Sequence, residues 1–97
     1  MTVSVEQIQN SLRLPTGTDA DMIQNYITAA GDYVRNAVDS EAAAASFAEY
    51  SQFDIAVAML TEFWYQNRGE IATASQEIPF TVVSMIQQLR GIFASDL

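Results

Sequence analysis

Residues 47–69 read FAEYSQFDIAVAMLTEFWYQNRG, and this stretch decides the architecture. Tyr50, Phe53, Ala56, Val57, Leu60 and Trp64 recur near the 3.6-residue period of an amphipathic helix, so the spacing predicts a long helix from about Phe47. Ile55, Met59 and Phe63 add a neighbouring apolar stripe. A helix apolar over so much of its circumference is either the centre of a small bundle or packed on another subunit as well. Gly69 suits a C-cap, and Arg68 in the last turn complements the helix dipole.

Toward the N-terminus, TVSVEQIQNSLRL sets Val5, Ile8 and Leu12 at helical spacing behind Thr2 or Ser4 as N-cap, with Pro15 ending this short first helix. In PTGTDAD, Gly17 relaxes a turn and Thr18 with Asp21 reads as a capping box, which predicts a second helix beginning near Asp19. Its apolar stripe is Met22, Ile23, Tyr26, Ile27, Ala30, Tyr33, Val34, Ala37 and Val38. Gly31 interrupts that pattern at about 1 kcal/mol relative to alanine, which either a close helix crossing or simple tolerance explains. A break is expected near Asp39 to Glu41.

Beyond the long helix, EIATASQEIP is unpatterned and reads as a loop. Pro79 or Thr81 then starts a last helix whose Val82, Met85, Ile86, Leu89 and Phe93 share a face, with fraying expected after Gly91. No stretch alternates as a strand would. The expected fold is all-α: a small bundle of about four to five helices with a long central third helix, in one domain spanning 1–97.

Composition narrows the function. A 97-residue chain hides only about 60–65% of its unfolded surface, so burial by a partner would help it. The net charge is −8, and Arg13, Arg35, Arg68 and Arg90 are its only basic residues. Such a field repels a polyanion and argues against tight DNA binding. Arginine without lysine suits fixed, forked hydrogen bonds rather than mobile surface charge, although with only four basic residues chance is an equal explanation. With neither cysteine nor histidine, the chain lacks disulfides, thiol nucleophiles, imidazole bases and the usual zinc ligands. No leader and no apolar run near membrane-spanning length is evident, which places the chain in the cytosol or in an assembly made there.

Two chemical readings of particular residues fall to structural ones, and two loop motifs fail on spacing. Asp19 with Asp21, and Asp39 with Glu41, could pair as acid and base, yet carboxylates at helix starts and breaks are expected for capping alone. Neither a calcium loop nor a phosphate loop has its required spacing. The run FWYQNR would need basic neighbours to stack nucleic-acid bases, whereas Glu62 and Glu70 flank it. Helical spacing instead lines up Leu60, Phe63, Trp64 and Arg68, with Tyr65 about a quarter turn away, as core and interface packing. No catalytic, cofactor-binding or metal-binding residue is assigned. The candidate core and interface residues are Phe63, Trp64, Tyr65, Arg68 and Arg90, the two arginines holding helix ends through carbonyls or carboxylates.

EFWYQNRGE, a variable loop and then IPFTVVSMIQQLRG resemble the signature of the phage head-tail connector proteins of the QLRG family, also described as DNA packaging or head completion proteins. The other elements of that pattern fall on Leu12-Arg13-Leu14, Asp19 to Asp21, Ala29 to Val38, Phe63 to Arg68, Pro79, and Gln88 to Gly91. Phe63, where histidine is frequent, and the Pro15-Thr16-Gly17 turn depart from it. The resemblance implies a non-enzymatic virion protein, made in the host cytoplasm, that forms a ring of roughly a dozen copies under the portal protein. It would complete the head after DNA packaging and offer the attachment site for the tail or for stopper and adaptor proteins, with DNA passing through the lumen without specific binding. No cofactor and no membrane is implied. Composition alone also allows a small acidic helical binding module or regulator that pairs with a basic partner.

Overall fold

The computed structural model describes residues 3–39, 47, 50–67 and 78–95. Among the described residues the chain is all-helical: α1 Val5–Ser11, α2 Ala20–Asp39, α3 Ser51–Gln66 and α4 Phe80–Ser95. The two inner helices, α2 and α3, pack on each other and both receive α1 and α4.

Ser4 starts α1 with a reciprocal capping box: its Oγ accepts the Gln7 N–H, and the Gln7 side chain accepts the Ser4 N–H at 2.8 Å. Of the two expected caps, Ser4 is the one used. Pro15 is not what stops this helix. The chain leaves α1 at Leu12, and Arg13 follows at φ 59. The Arg13 N–H reaches Asn10 O at 3.1 Å and the Leu14 N–H reaches Gln9 O at 2.8 Å, the paired bonds of a Schellman turn with arginine in the place glycine usually takes. A tight turn follows, in which Thr18 N–H meets Pro15 O at 3.1 Å and Gly17 adopts φ 88, the positive-φ position that such a turn requires.

Helix α2 begins at Ala20, one residue later than a Thr18–Asp21 capping box requires. Asp19 takes the preceding position at φ 50, and its carbonyl accepts the Ile23 N–H at 2.9 Å. The α2 stripe buries Ile23, Ile27, Ala30 and Val34, while Met22 and Tyr33 stay exposed at its edges. Gly31 is buried, but a methyl placed there would meet only Arg35 Nη1 at 3.6 Å, an ordinary contact. No close helix crossing demands that glycine.

Helix α3 starts at Ser51 rather than near Phe47. Phe47 belongs to the turn before it, with Tyr50 N–H bonded to Phe47 O at 3.1 Å, and its ring is almost fully buried. Ala56, Val57, Leu60, Thr61 and Tyr65 are buried along α3. The hydroxyl of fully buried Thr61 donates to Val57 O at 2.7 Å. Asn67 ends the helix, its backbone N–H and its Nδ2 both donating to Phe63 O. The expected C-cap at Gly69, and the expected loop apart from Ile78 and Pro79, lie outside the described residues, as do Ser40 and Glu41 of the expected break. Helix α4 runs past Gly91 to Ser95 and buries Val82, Ile86 and Leu89 against α2 and α3.

Candidate functional site

Trp64 and Tyr65, adjacent in sequence, have opposite surroundings. Tyr65 is buried, and its hydroxyl donates to the Asp19 carboxylate across the bundle. Trp64 is half-buried on the α2–α3 seam, edge-on to Tyr33 with centroids 6.3 Å apart and tilted against Tyr26 at 6.4 Å. Met22, Tyr26, Tyr33 and Trp64 thus form an aromatic-rich surface along one side of α2, with Met22 and Tyr33 about two-fifths exposed. Phe63 is half-buried as well.

Of the candidate arginines, Arg90 donates its Nε to Ala37 O at 2.6 Å. That carbonyl lies in the last turn of α2, whose final carbonyls have no partner within the helix, so Arg90 ties α4 to the end of α2. Arg68 lies outside the described residues. Arg35 pairs with Asp32 on the outer face of α2. Asp19 and Asp21 are not brought together as an acid and base: the Asp19 carboxylate serves Tyr65, and Asp21 is exposed in the first turn of α2. Among the described residues no three acidic side chains are grouped to hold a metal ion, and no helix is long and apolar enough to cross a membrane.

The sequence pattern left out one group that matters. Between α1 and α3 runs an open groove of about 250 Å³ with apolar walls from Val3, Ile8, Ile55 and Ala58. Along it lie Asp54 and Glu62, the latter accepting the Ser11 hydroxyl at 2.9 Å. Asp54 is only 7% exposed. Burial pushes its carboxyl above the ordinary carboxylate range, with the positive amino terminus pulling the other way. Its position was readable, because Asp54 shares the α3 face of Val57, Thr61 and Tyr65, all buried. The apolar stripes drawn along this helix pass over it, because they run through hydrophobic residues alone and the expected start of the helix is near Phe47.

A family model described as phage gp6-like head-tail connector protein matches residues 2–93. No curated protein and no solved structure matches the chain.

Proposed function

Because the chain belongs to the phage gp6-like head-tail connector family, we propose that it assembles as a ring of roughly a dozen copies beneath the portal, completing the filled head and presenting the surface on which the tail docks. The family match over residues 2–93 carries this reading. Its role is structural rather than catalytic, its site is the virion, and it acts after synthesis in the host cytoplasm.

Two features of the chain support it. The Met22, Tyr26, Tyr33 and Trp64 surface has the tyrosine and tryptophan content of interface hot spots and stays partly open to water in the single chain. Net charge −8 suits a conduit, since carboxylates facing a lumen repel phosphates within a Debye length of about 8 Å and let DNA pass without holding it. Phe63 and the chain around Arg68 are the further candidates for contact with a neighbour.

Electron microscopy of the purified chain, alone and mixed with portal protein, tests the proposal. Closed rings, free or seated on the portal, are expected. A protein that stays monomeric or dimeric at high concentration under both conditions overturns it and favours an acidic helical module that binds a basic partner.

A further inference from the structure

We propose that the groove between α1 and α3 is one half of a contact between copies of this chain, and that it receives Arg13 of the neighbouring copy, whose guanidinium pairs with Asp54. This rests on the ring reading and assigns it a specific contact.

The groove asks for a cation. Asp54 is 7% exposed, lines the groove, and receives no hydrogen bond from any described residue. No buried side-chain oxygen among the described residues lacks a partner, so the Asp54 carboxylate oxygens keep contact with the water of the open groove, where a counter-charge can reach them. Glu62, two helical turns along α3 on the same groove, adds to the negative field. The walls are apolar, and Ile55 on the rim is 43% exposed, so the groove suits a side chain with an aliphatic stem and a charged end. Arginine is that side chain.

Arg13 is the described arginine available for it. Arg35 is paired with Asp32 and Arg90 with the Ala37 carbonyl, whereas Arg13 is exposed and no hydrogen bond or ion pair engages its guanidinium among the described residues. Arg13 also holds a left-handed position, at φ 59, where glycine would be the cheaper residue. Fold stability therefore does not explain an arginine there, and a role for its side chain does. Half-buried Leu12 and Leu14 flank it, giving the turn an apolar, basic, apolar order that complements the groove. The overall charge of −8 opposes self-association only at long range, because salt screens it beyond about 8 Å while a contact pair is little screened.

A double-mutant cycle on the full chain, read by sedimentation equilibrium, tests the pairing. Arg13→Gly keeps the turn geometry and removes the charge, and Asp54→Asn keeps the shape and removes the carboxylate. Each is expected to weaken association by about tenfold or more, and the double variant to be no weaker than the weaker single one, since only one interaction is lost. Circular dichroism of each variant should match the parent. If either single variant assembles like the parent, or if the two losses multiply, the pairing is wrong. In the case of an indifferent Asp54→Asn chain, the chain's own amino terminus is the better candidate for the groove's cation. A parent chain that never assembles overturns the ring reading itself, whereas a parent that assembles regardless of both changes overturns this inference alone.

Discussion

The two ends of α3 are fastened by different physics. At its N-terminal end Tyr50 stands in the cap position with no capping bond from its side chain, and the fastening described there is a cluster of rings. Phe47 lies 5.0 Å from Phe53 and stacks on Phe93 at 4.7 Å, with Tyr50 5.3 Å from Phe93. At its C-terminal end the fastening is polar and directional: Asn67 turns back onto Phe63 O, and Tyr65 reaches Asp19. Apolar contact tolerates small rearrangements and stabilises in proportion to buried area, while each polar bond is worth less but specifies one partner. The first end should thus govern stability, and the second should govern how the turn before α2 is placed.

Phe47→Ala attacks the first end and should have the largest effect, a loss of about 3–5 kcal/mol in chemical denaturation, because the ring is almost fully buried in the cluster. A loss below about 1 kcal/mol would remove the contrast. Tyr65→Phe attacks the second end while keeping the ring, and should cost about 1–2 kcal/mol, since Asp19 is exposed and water can replace the phenol. Amide exchange of residues 16–19 should quicken in that variant and stay unchanged in Phe47→Ala chains that remain folded. Gly31→Ala, in α2 and remote from either fastening, should add about 1 kcal/mol through helix propensity, because the new methyl meets nothing closer than Arg35 Nη1 at 3.6 Å. Destabilisation there would mean that α2 and α3 approach more closely than the geometry gives.

The smallest effect belongs to Asp54→Asn, one turn inside the ring-fastened end. A carboxyl raised by burial keeps its proton in the folded chain at pH values where the unfolded chain has released it. Folding is then unpenalised below the ordinary aspartate pKa of about 3.9 and loses stability as pH rises from there through the folded value. Above that window Asp54→Asn should raise the stability of the single chain by less than about 1 kcal/mol, and its pH profile should be flatter. Thermal melts from pH 3 to pH 8 compare the two; a variant less stable than the parent at neutral pH would show that the Asp54 charge is already compensated within one copy.

The same contrast explains what could be read in advance. Periodicity marked the buried stripes of α2, α3 and α4 because apolar burial depends on which face a residue occupies, and Ile23, Ile27, Val57, Leu60, Val82 and Leu89 follow it. Directional bonds leave no such trace. Nothing in the sequence says that Tyr65 rather than Trp64 is buried, or that the partner of Tyr65 is Asp19, 46 residues away. Arg90 was read as a fastener of helix ends, but its acceptor, Ala37 O, is a backbone atom that every residue carries. The start of α3 moved from Phe47 to Ser51 because the apolar period continues into a turn whose rings pack like helical ones. Arg13 hid its left-handed turn, since glycine is the usual signal for one.

Trp64 is the chain's sole indole, and two phenols stand against it on the seam between α2 and α3. That placement gives the molecule a native optical gauge. Excitation absorbed by Tyr26 or Tyr33 passes to Trp64 only while the helices stay together, and the colour of its emission responds to water leaving that surface. Separation of the seam and its coverage by another protein would therefore give different fluorescence changes in the unmodified chain.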